Sequence, residues 1–401
     1  MVFMFPATAT SPPAPPTAVP WTHARVLAHG AARPSPARTV PLRAAAGLTL
    51  AGDLRARHPL PAFDTAAMDG YAVAGRGPWR VRAALRAGGT WADTLNAGEC
   101  VEISTGARLP AGARAVLPLE SAAVGADGSV AGPLPPPGRH VRKAGEDAPA
   151  GHRLAPAGTR IGPALLGLAA SGGHDTLPVH AGPRVGALVT GDELDQSGIP
   201  RPGRVRDALG PALPALIAEL GGRSCGVRHV PDRPAGGLAA AVQGWHDVDV
   251  VVVAGSTSVG VTDQLRRLLD DAGARRVVDT VACRPGHPMV LAQLPDGRWV
   301  VGLPGNPYAA LVAAHTLLGP LLTGLSGRPL PALPHVPVWG PVRPARGRTR
   351  LVPVAWDSAG ARIVGGHGSA FLHGAAMGDA LAALAPDWAD GGPAPLVLTF
   401  G

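Results

Sequence analysis

The sequence predicts a multi-domain protein of the α/β plus β class: a central parallel α/β domain, an N-terminal β-containing region and a small C-terminal β domain. Between residues 183 and 328, strand-length apolar segments alternate with helices closed by glycine, a pattern typical of βαβ units. Residues 75–140 and 329–401 instead carry short alternating segments separated by turn residues, which indicates small β domains. With 46% hydrophobic and 4% aromatic residues, the cores must be largely aliphatic.

Pro-rich segments and changes of pattern indicate where the domains begin and end. The segment GPLPPPG, for example, closes the first β-rich stretch like a linker. We expect a disordered Pro-rich tail over 1–20, an N-terminal domain made of 21–74 and 141–182, an inserted β domain over 75–140, the α/β domain over 183–328 and the C-terminal β domain over 329–401.

Charge, cysteine content and hydropathy exclude several classes of protein. The formal net charge is +8, yet no run of five basic residues occurs, so no nucleic-acid partner is predicted. The 3 cysteines are widely separated and form no CxxC pair, which disfavours a zinc site or a disulfide framework. The apolar stretch over 309–325 is interrupted by His315, Gly319 and Pro320, which favours a buried helix over a membrane span. We expect a cytoplasmic protein with no membrane partner.

Three strands of the predicted α/β domain end in loops suited to binding an anion. The first is followed by Asp192 and Glu193, the second by GSTSVG and Asp263, and the third by PGNP over 304–307. In open parallel sheets, ligands bind outside the carboxyl ends of the strands, and small residues let backbone N–H groups approach phosphate closely. GSTSVG matches neither a Walker loop nor a dinucleotide fingerprint. Taken alone, such a loop is better explained as a tight turn that binds nothing, but three loops converging on one sheet edge favour a phosphate site.

Carboxylates accompany these loops. Glu193, Asp207 and Asp263 lie in or beside them, and Asp64 and Asp69 flank small residues in the upstream segment PLPAFDTAAMDGYAV. Carboxylates beside phosphate favour Mg²⁺, which takes one or two of them together with phosphate and water oxygens. Each also has a structural explanation: a helix cap for Asp263, and Asx turns for the upstream pair.

The order of the motifs resembles the molybdopterin molybdenumtransferase family, whose relatives include the C-terminal part of gephyrin. The motifs are PLPAFDTAAMDGYAV, STGARLPAGARAVLPLE, KAGED, VTGDEL, AGSTSVGVTD, RPGHP and GLPGNP, and the likeness runs from about Trp21 to the C-terminus. The resemblance implies a Mg²⁺-dependent transferase of molybdenum-cofactor biosynthesis that inserts molybdate into adenylylated molybdopterin and releases AMP. It also implies a homodimer, with 21–74 and 141–182 as the dimerisation domain. The site would lie between the α/β domain of one subunit and N-terminal elements of the other. A molybdopterin adenylyltransferase is a candidate partner.

The resemblance also implies roles for individual residues. The implied catalytic residues are Asp69, Thr105, Glu193 and Asp263, of which Asp69, Glu193 and Asp263 would hold the metal. The implied substrate-binding residues are Asp147, Asp207, Gly255, Ser256, Thr257, Ser258, Gly260, Arg284, His287, Pro304, Gly305, Asn306 and Pro307. Arg348 in GRTR and Ser369 in GHGSAF match positions implied to contact molybdate.

Several positions depart from the family pattern. The motif Asp-Ser/Thr-Asn is here DAL, beginning at Asp207, and Ser256 replaces a glycine of the phosphate loop. Arg284 and His287 replace two lysines, and Ala309 replaces a serine. Because these changes affect the pterin-phosphate side, a catalytically weak paralogue that binds pterin or scaffolds a partner stays open as an alternative. The related adenylyltransferase is disfavoured, because it normally lacks the TAAMDGYAV region.

Overall fold

The computed structural model describes residues 18–233, 236–256, 264–343 and 345–399. The chain divides into two compact units. The first unit comprises Met1–Pro36 and His180–Gly401, and the second comprises Ala37–Val179.

The described strands range from two to nine residues in length. In chain order they are β1 (Val19–Pro20), β2 (Arg38–Pro41), β3 (Thr49–Leu50), β4 (Leu54–Arg55), β5 (Thr65–Ala66), β6 (Gly70–Ala74), β7 (Trp79–Leu85), β8 (Glu99–Ile103), β9 (Ala115–Pro118), β10 (Ala123–Val124), β11 (Ser129–Ala131), β12 (Val141–Arg142), β13 (Arg153–Ala155), β14 (Thr176–His180), β15 (Arg184–Thr190), β16 (Leu194–Asp195), β17 (Val205–Arg206), β18 (Arg223–Val230), β19 (Val250–Ala254), β20 (Arg275–Val278), β21 (Val281–Arg284), β22 (Val290–Gln293), β23 (Trp299–Leu303), β24 (His335–Trp339), β25 (Thr349–Asp357), β26 (Gly360–Ile363), β27 (Ala380–Leu384) and β28 (Pro393–Leu398).

Most described helices belong to the first unit. They are α1 (Trp21–Ala31), α2 (Pro163–Ser171), α3 (Leu209–Glu219), α4 (Gly237–Gln243), α5 (Gln264–Asp271), α6 (Pro307–Ala313), α7 (Gly319–Leu325) and α8 (His373–Met377). A π-helical turn, Ala314–Leu318, joins α6 to α7, and 3-10 turns lie at Leu42–Ala44 and Leu119–Ser121.

A six-stranded mixed sheet, in the order β18-β15-β19-β23-β22-β20, forms the centre of the first unit. The first four strands are parallel, whereas β22 runs antiparallel to β23 and β20 runs antiparallel to β22. The prediction of a parallel sheet is therefore corrected at one edge. The reason is a Pro-Asp-Gly turn, in which the Leu294 N–H donates to the Arg298 carbonyl at 2.8 Å and joins β22 to β23 as a hairpin.

Side chains of the central strand β19 alternate between two aliphatic cores. Val250, Val252 and Ala254 pack with residues of α1, α3, α6 and α7, and Val251 and Val253 pack with residues of α4 and α5. Because helices cover both faces, the strand is a continuous apolar segment rather than an alternating one.

The helical stretch Pro307–Leu325 is apolar and long enough to cross a membrane. However, 94% of its most apolar 18-residue segment is buried inside the structure. α1 packs against it, and Trp21 Nε1 donates to Thr316 Oγ1 at 3.0 Å in the interior. The stretch is therefore a core helix, as its interrupted sequence predicts.

The N-terminal segment differs from the predicted domain division. Val19 and Pro20, assigned to the disordered tail, form β1 beside β21. α1, assigned to the N-terminal domain, instead belongs to the first unit, because Trp21 and Ala28 are buried in the α/β core. Residues 1–17 of the predicted tail lie outside the described residues.

The second sheet of the first unit closes on itself. Its order is β1-β21-β25-β26-β24-β28-β27, and β27 pairs with β25 as well as with β28. The ring of β25, β26, β24, β28 and β27 encloses a small core that includes Val338, Val352 and Leu396. The predicted C-terminal β domain supplies this ring, and β1 and β21 extend the sheet beyond it.

The second unit contains a six-stranded sheet in the order β10-β11-β7-β8-β6-β9, a three-stranded sheet, β2-β14-β3, and the strand pairs β12-β5 and β13-β4. The larger sheet includes β6, so it begins before residue 75, where the inserted domain is predicted to start. Gly70 opens β6 at a close contact, because a Cβ there would lie 2.1 Å from the Leu117 carbonyl oxygen.

Candidate active site

A cleft of about 690 Å³ lies at the carboxyl ends of β15, β19 and β23. The three strands end level with one another, because Val189 pairs with Ala254, and Ala254 with Leu303. We call this cavity the strand-end cleft. Its lining residues are Val189, Thr190, Gly191, Glu193, Leu194, Val205, Arg206, Asp207, Ala208, Leu209, Asp232, Ala254, Gly255, Ser256, Gln264, Gly305, Asn306, Pro307 and Ala370.

A close backbone approach at Gly255 shapes the floor of the strand-end cleft. Gly255 has φ of +97°, and a Cβ there would lie 2.4 Å from Thr190 Oγ1. Its N–H donates to the Leu303 carbonyl at 3.0 Å, and the hydroxyls of Thr190 and Ser256 share a hydrogen bond of 2.9 Å. The result is a floor of small groups and hydroxyls that a phosphate can approach closely.

Four further predicted site residues lie in this loop or directly after it in the sequence. Thr257, Ser258, Gly260 and Asp263 all lie outside the described residues.

Two predicted carboxylates line the strand-end cleft in different ways. Glu193 is exposed at the cleft, whereas Asp207 is only 8% exposed. Asp207 Oδ1 accepts the N–H groups of Leu209 and Gly210, each at 2.9 Å, and so caps the start of α3. Asp207 therefore fixes the backbone that forms one wall, whatever else its second oxygen binds.

Sequence reasoning missed Asp232 and Gln264. Asp232 lines the strand-end cleft, and its carbonyl accepts a hydrogen bond from Gln264 Nε2 at 3.2 Å. The Asp192 side chain does not line the cleft. It instead binds the loop that carries Asp232, because Asp192 Oδ1 accepts the Asp232 N–H at 3.0 Å. The available signal was the strand-length segment RSCGVRHV directly before Pro231, which is the edge strand β18.

The PGNP loop contributes its last three residues to the strand-end cleft. Gly305, Asn306 and Pro307 line the cleft, whereas Pro304 is buried and is absent from the lining. Pro307 opens α6, where its missing N–H and fixed φ suit a first helical position.

Arg284, Arg348 and Arg350 form an arginine cluster beside α6. Arg284 and Arg350 stand opposite each other on the parallel strands β21 and β25, whose backbones are about 4.8 Å apart. Within the described ranges, the side chains of these three arginines make neither a salt bridge nor a hydrogen bond. Arg350 Nε is buried and has no partner. Burial, and then the charge of Arg284, lowers the pKa of Arg350.

The loop that carries Ser369 lies next to the arginine cluster. The Ser369 carbonyl accepts the Ala309 N–H at 3.0 Å, which ties this loop to the first turn of α6. His367 Nδ1 is buried without a partner, and burial, followed by the charge of Arg350, lowers the pKa of His367. Buried donors without partners are uncommon, and together with cations and a hydroxyl they suit a tetrahedral oxyanion.

Arg350 and His367 were also missed from the sequence. Each stands two residues from a predicted molybdate contact, Arg350 after Arg348 and His367 before Ser369. This spacing of two residues from a predicted contact was the available signal.

His287 is anchored to its own turn. The Val281 carbonyl can only accept, so His287 Nδ1 donates to it at 2.8 Å and leaves Nε2 for a ligand. Neither His287 nor Arg284 lines the strand-end cleft.

The remaining predicted residues lie in the second unit. Thr105 donates both its N–H, at 2.6 Å, and its hydroxyl, at 2.9 Å, to Asp69 Oδ1. These two bonds lower the pKa of Asp69 and keep it ionised. Asp147 is exposed in the loop where Lys143 Nζ pairs with Asp64 at 2.7 Å. The structure thus brings Asp69 and Thr105 together as a hydrogen-bonded pair.

Within the described residues, no group of three or more His, Cys, Asp and Glu side chains is placed to hold a metal ion. Mg²⁺ usually takes one or two carboxylates and completes its shell with phosphate and water oxygens. Glu193 and Asp232, both lining the strand-end cleft, fit such a partial set of ligands.

Comparison with known proteins agrees with this arrangement. Residues 19–173 match the family model described as the MoeA N-terminal region (domain I and II), and residues 186–324 match the probable molybdopterin binding domain. The crystal structure of a molybdopterin biosynthesis MoeA protein from Pyrococcus horikosii is similar, with a TM-score of 0.75 and 26% identity over 96% of this chain and all of that chain. The fold and the site therefore define a multi-domain protein of the molybdopterin-binding class.

Sequence relatives narrow the class to a family. Molybdopterin molybdenumtransferase 2 of Mycobacterium tuberculosis is 35% identical over 331 residues, 78% of this chain and 81% of the relative. The molybdopterin molybdenumtransferase of Haemophilus influenzae is 31% identical over 294 residues, 72% of each chain. This chain belongs to the molybdopterin molybdenumtransferase family.

Replacing Gly255 by alanine tests the close approach in the strand-end cleft. We expect Gly255→Ala to lower the free energy of unfolding by about 2–3 kcal/mol, because the new methyl group meets Thr190 at a positive φ. Gly273→Ala is the matched control, because Gly273 also has a positive φ of +66° but open space around its Cβ position. The control should cost about 1 kcal/mol in urea unfolding. Equal losses in the two variants would contradict the steric explanation.

Proposed function

We propose that this chain inserts molybdate into adenylylated molybdopterin and releases AMP, with Mg²⁺ bound beside the phosphates. Family membership makes the chain a transferase of molybdenum-cofactor biosynthesis. The observation that carries the specific proposal is the position of α6. Its first residue, Pro307, lines the strand-end cleft, and Ala309 holds the Ser369 loop next to the arginine cluster.

The strand-end cleft suits the phosphate end of the pterin substrate. Gly255 and Gly305 expose backbone on one side, and the hydroxyls of Thr190 and Ser256 add donors. Glu193 and Asp232 would hold Mg²⁺, which when bound neutralises charge on the phosphate oxygens. Asp207 keeps the opposite wall in place through its cap on α3.

The arginine cluster suits molybdate. Arg284, Arg348 and Arg350 are cations without a carboxylate partner in the described structure, and the guanidinium fork matches two oxygens of a tetrahedral oxyanion. The replacement of family lysines by Arg284 and His287 keeps a fixed cation but changes its geometry. With no Ser–His or Cys–His pair predicted, a molybdate or water oxygen is the nucleophile towards the phosphoanhydride.

The second unit would supply the remaining groups from a partner subunit. Asp69, Thr105 and Asp147 are exposed, and Asp69 is preorganised by Thr105. In the proposed homodimer, these residues face the strand-end cleft of the other subunit. We also propose a cytoplasmic location and delivery of substrate by a molybdopterin adenylyltransferase, since the substrate must first receive an adenylyl group.

The first test is molybdate-dependent AMP release. Purified protein with adenylylated molybdopterin, Mg²⁺ and molybdate should release AMP, and Glu193→Gln should lower kcat at least about tenfold by removing a carboxylate charge at the phosphates. Asp387→Asn, which removes an exposed carboxylate outside the site, is the control and should keep full activity. Tight pterin binding without AMP release would instead favour the paralogue that binds or scaffolds.

A subunit-mixing experiment tests the shared site. Asp69→Asn and Glu193→Gln should each be inactive as homodimers, yet a mixture that has exchanged subunits should regain about a quarter of wild-type activity. The reason is statistical: about half of the dimers are mixed, and each has one intact site of two. Persistent inactivity, with mixed dimers demonstrated by differently tagged subunits, would place all catalytic groups within one chain.

The pH dependence of molybdate binding tests the role of His367. Because the pKa of His367 lies below its usual value, the ring is neutral near pH 7 and gains a charge as the pH falls. Molybdate affinity, measured by calorimetry, should therefore rise as the pH is lowered from about 7 to about 5. His367→Asn should flatten this rise, whereas His373→Asn, at an exposed histidine of α8, should not. An unchanged profile in His367→Asn would assign the pH dependence to other groups.

A further inference from the structure

A second cavity, of about 310 Å³, lies in the first unit away from the strand-end cleft. It is bounded by α1, the helical stretch Pro307–Leu325, residues 330–334 and the last strand, β28, and it shares no lining residue with the strand-end cleft. His315, on its floor, lies eight residues along the helix from Pro307, about 12 Å at the usual helical rise.

Three buried polar side chains line the second cavity, namely Arg25, His315 and Thr323, and the Thr323 hydroxyl is already bonded to the Gly319 carbonyl. Arg25 is 7% exposed and His315 is 6% exposed, and both line the cavity. Arg25 Nη1 donates to the backbone carbonyl of His315 at 2.8 Å, which leaves the other guanidinium N–H groups without a protein acceptor in the described residues. The His315 ring makes no hydrogen bond to any described residue.

Arg25 is a buried cation without a counter-ion. No carboxylate of the described chain lies within salt-bridge distance of it, and the Trp21 ring, centred 5.4 Å away, stabilises the charge only partly. Arginine is rarely buried unless paired, because removing its charge from water costs free energy. Burial lowers the pKa of Arg25 to about 10 and that of His315 to about 4, so near pH 7 the floor holds one positive charge and one neutral imidazole.

The helix is deformed where it meets the second cavity. His315 lies in the π-helical turn Ala314–Leu318, a rare conformation that often marks a functional position. The bond to the His315 carbonyl uses one N–H group of the Arg25 guanidinium. The remaining N–H groups of this cavity-lining side chain are left for a ligand.

The walls of the second cavity are largely apolar. They include Leu330, Leu333, Leu396 and Leu398, so a ligand must combine an anionic group with an apolar body. At ~30 Å³ for each water-sized group, the cavity volume corresponds to about ten non-hydrogen atoms. Arg25 and Arg328 are the cations of the lining and Glu219 is its anion, so the lining has one more positive than negative charge. That balance suits a monoanion better than phosphate or molybdate, whose second charge would stay unpaired.

We propose that the second cavity binds a small carboxylate with an apolar ring or chain, its carboxylate on the Arg25 guanidinium and the His315 ring, and its apolar body against Leu333 and Leu396. The exposed Glu219 and the half-buried Arg328 line the same cavity. This site is independent of the proposed transferase chemistry, because its residues take no part in the strand-end cleft or the arginine cluster.

The test compares benzoate with benzamide, which has nearly the same shape but no charge, using calorimetry on the full chain. Benzoate should bind more tightly than benzamide and shift the NMR resonances of the His315 ring. Arg25→Met should weaken benzoate at least about tenfold while changing benzamide binding little, because a charge-assisted bidentate pair is lost. Arg76→Met, at an exposed arginine of the second unit, is the matched control and should leave both affinities unchanged.

Three outcomes would overturn the proposal: no benzoate binding, equal affinity for benzoate and benzamide, or benzoate binding unaffected by Arg25→Met. If Arg25→Met fails to fold, Leu398→Asp replaces it, because Leu398 is 39% exposed and lines the same cavity. The added negative charge should weaken benzoate selectively, and equal weakening of benzamide would indicate an apolar pocket only. Displacement of benzoate by inorganic phosphate at equal concentration would contradict the preference for a monoanion.

Discussion

The burial of the helical stretch Pro307–Leu325 is the constraint on which the rest of the first unit depends. Its first turn lines the strand-end cleft, and Tyr308 donates its hydroxyl hydrogen to the Leu351 carbonyl of the closed β sheet at 3.1 Å. Farther along, Thr316 accepts the hydrogen bond from Trp21, and His315 faces the second cavity. Because one rigid element makes all these contacts, a shift of the helix would move the substrate loops and the Ser369 loop together.

Charge placement separates structural arginines from those available to a ligand. Arg266 and Arg276 both pair with Asp279, and Arg201 and Arg204 both pair with Asp195. These pairs neutralise the guanidinium charges within the protein. In the arginine cluster the situation is reversed, because β21 and β25 set Arg284 opposite Arg350, and neither forms a salt bridge with a carboxylate of the described residues. Like charges held this close lower each other's stability, and an oxyanion relieves the repulsion. Arg25 also lacks a carboxylate partner among the described residues, and there an anion would offset the cost of burying the charge.

Glycine has different roles at the chain's strand ends and at its surface turns. At Gly255 an added Cβ would meet Thr190, so the residue is needed for close backbone approach at the strand-end cleft. At Gly273 an added Cβ would meet nothing, so only the positive φ matters. The high glycine and proline content of the chain therefore combines a few sterically required positions with many turns that tolerate change more easily.

The sequence by itself determined the class of fold, the three loops at the strand ends and the family. These features follow from local patterns: apolar segments of strand length, glycine after helices, and motifs in a fixed order. It could not determine that β22 and β20 run antiparallel, that Asp232 lines the cleft, or that Arg350 and His367 have buried atoms without partners. Only the tertiary structure decided these points, because each depends on contacts between distant segments. The bond from Arg25 to His315 joins residues 290 positions apart. No local pattern encodes such a contact, because packing of α1 against the core helix creates it.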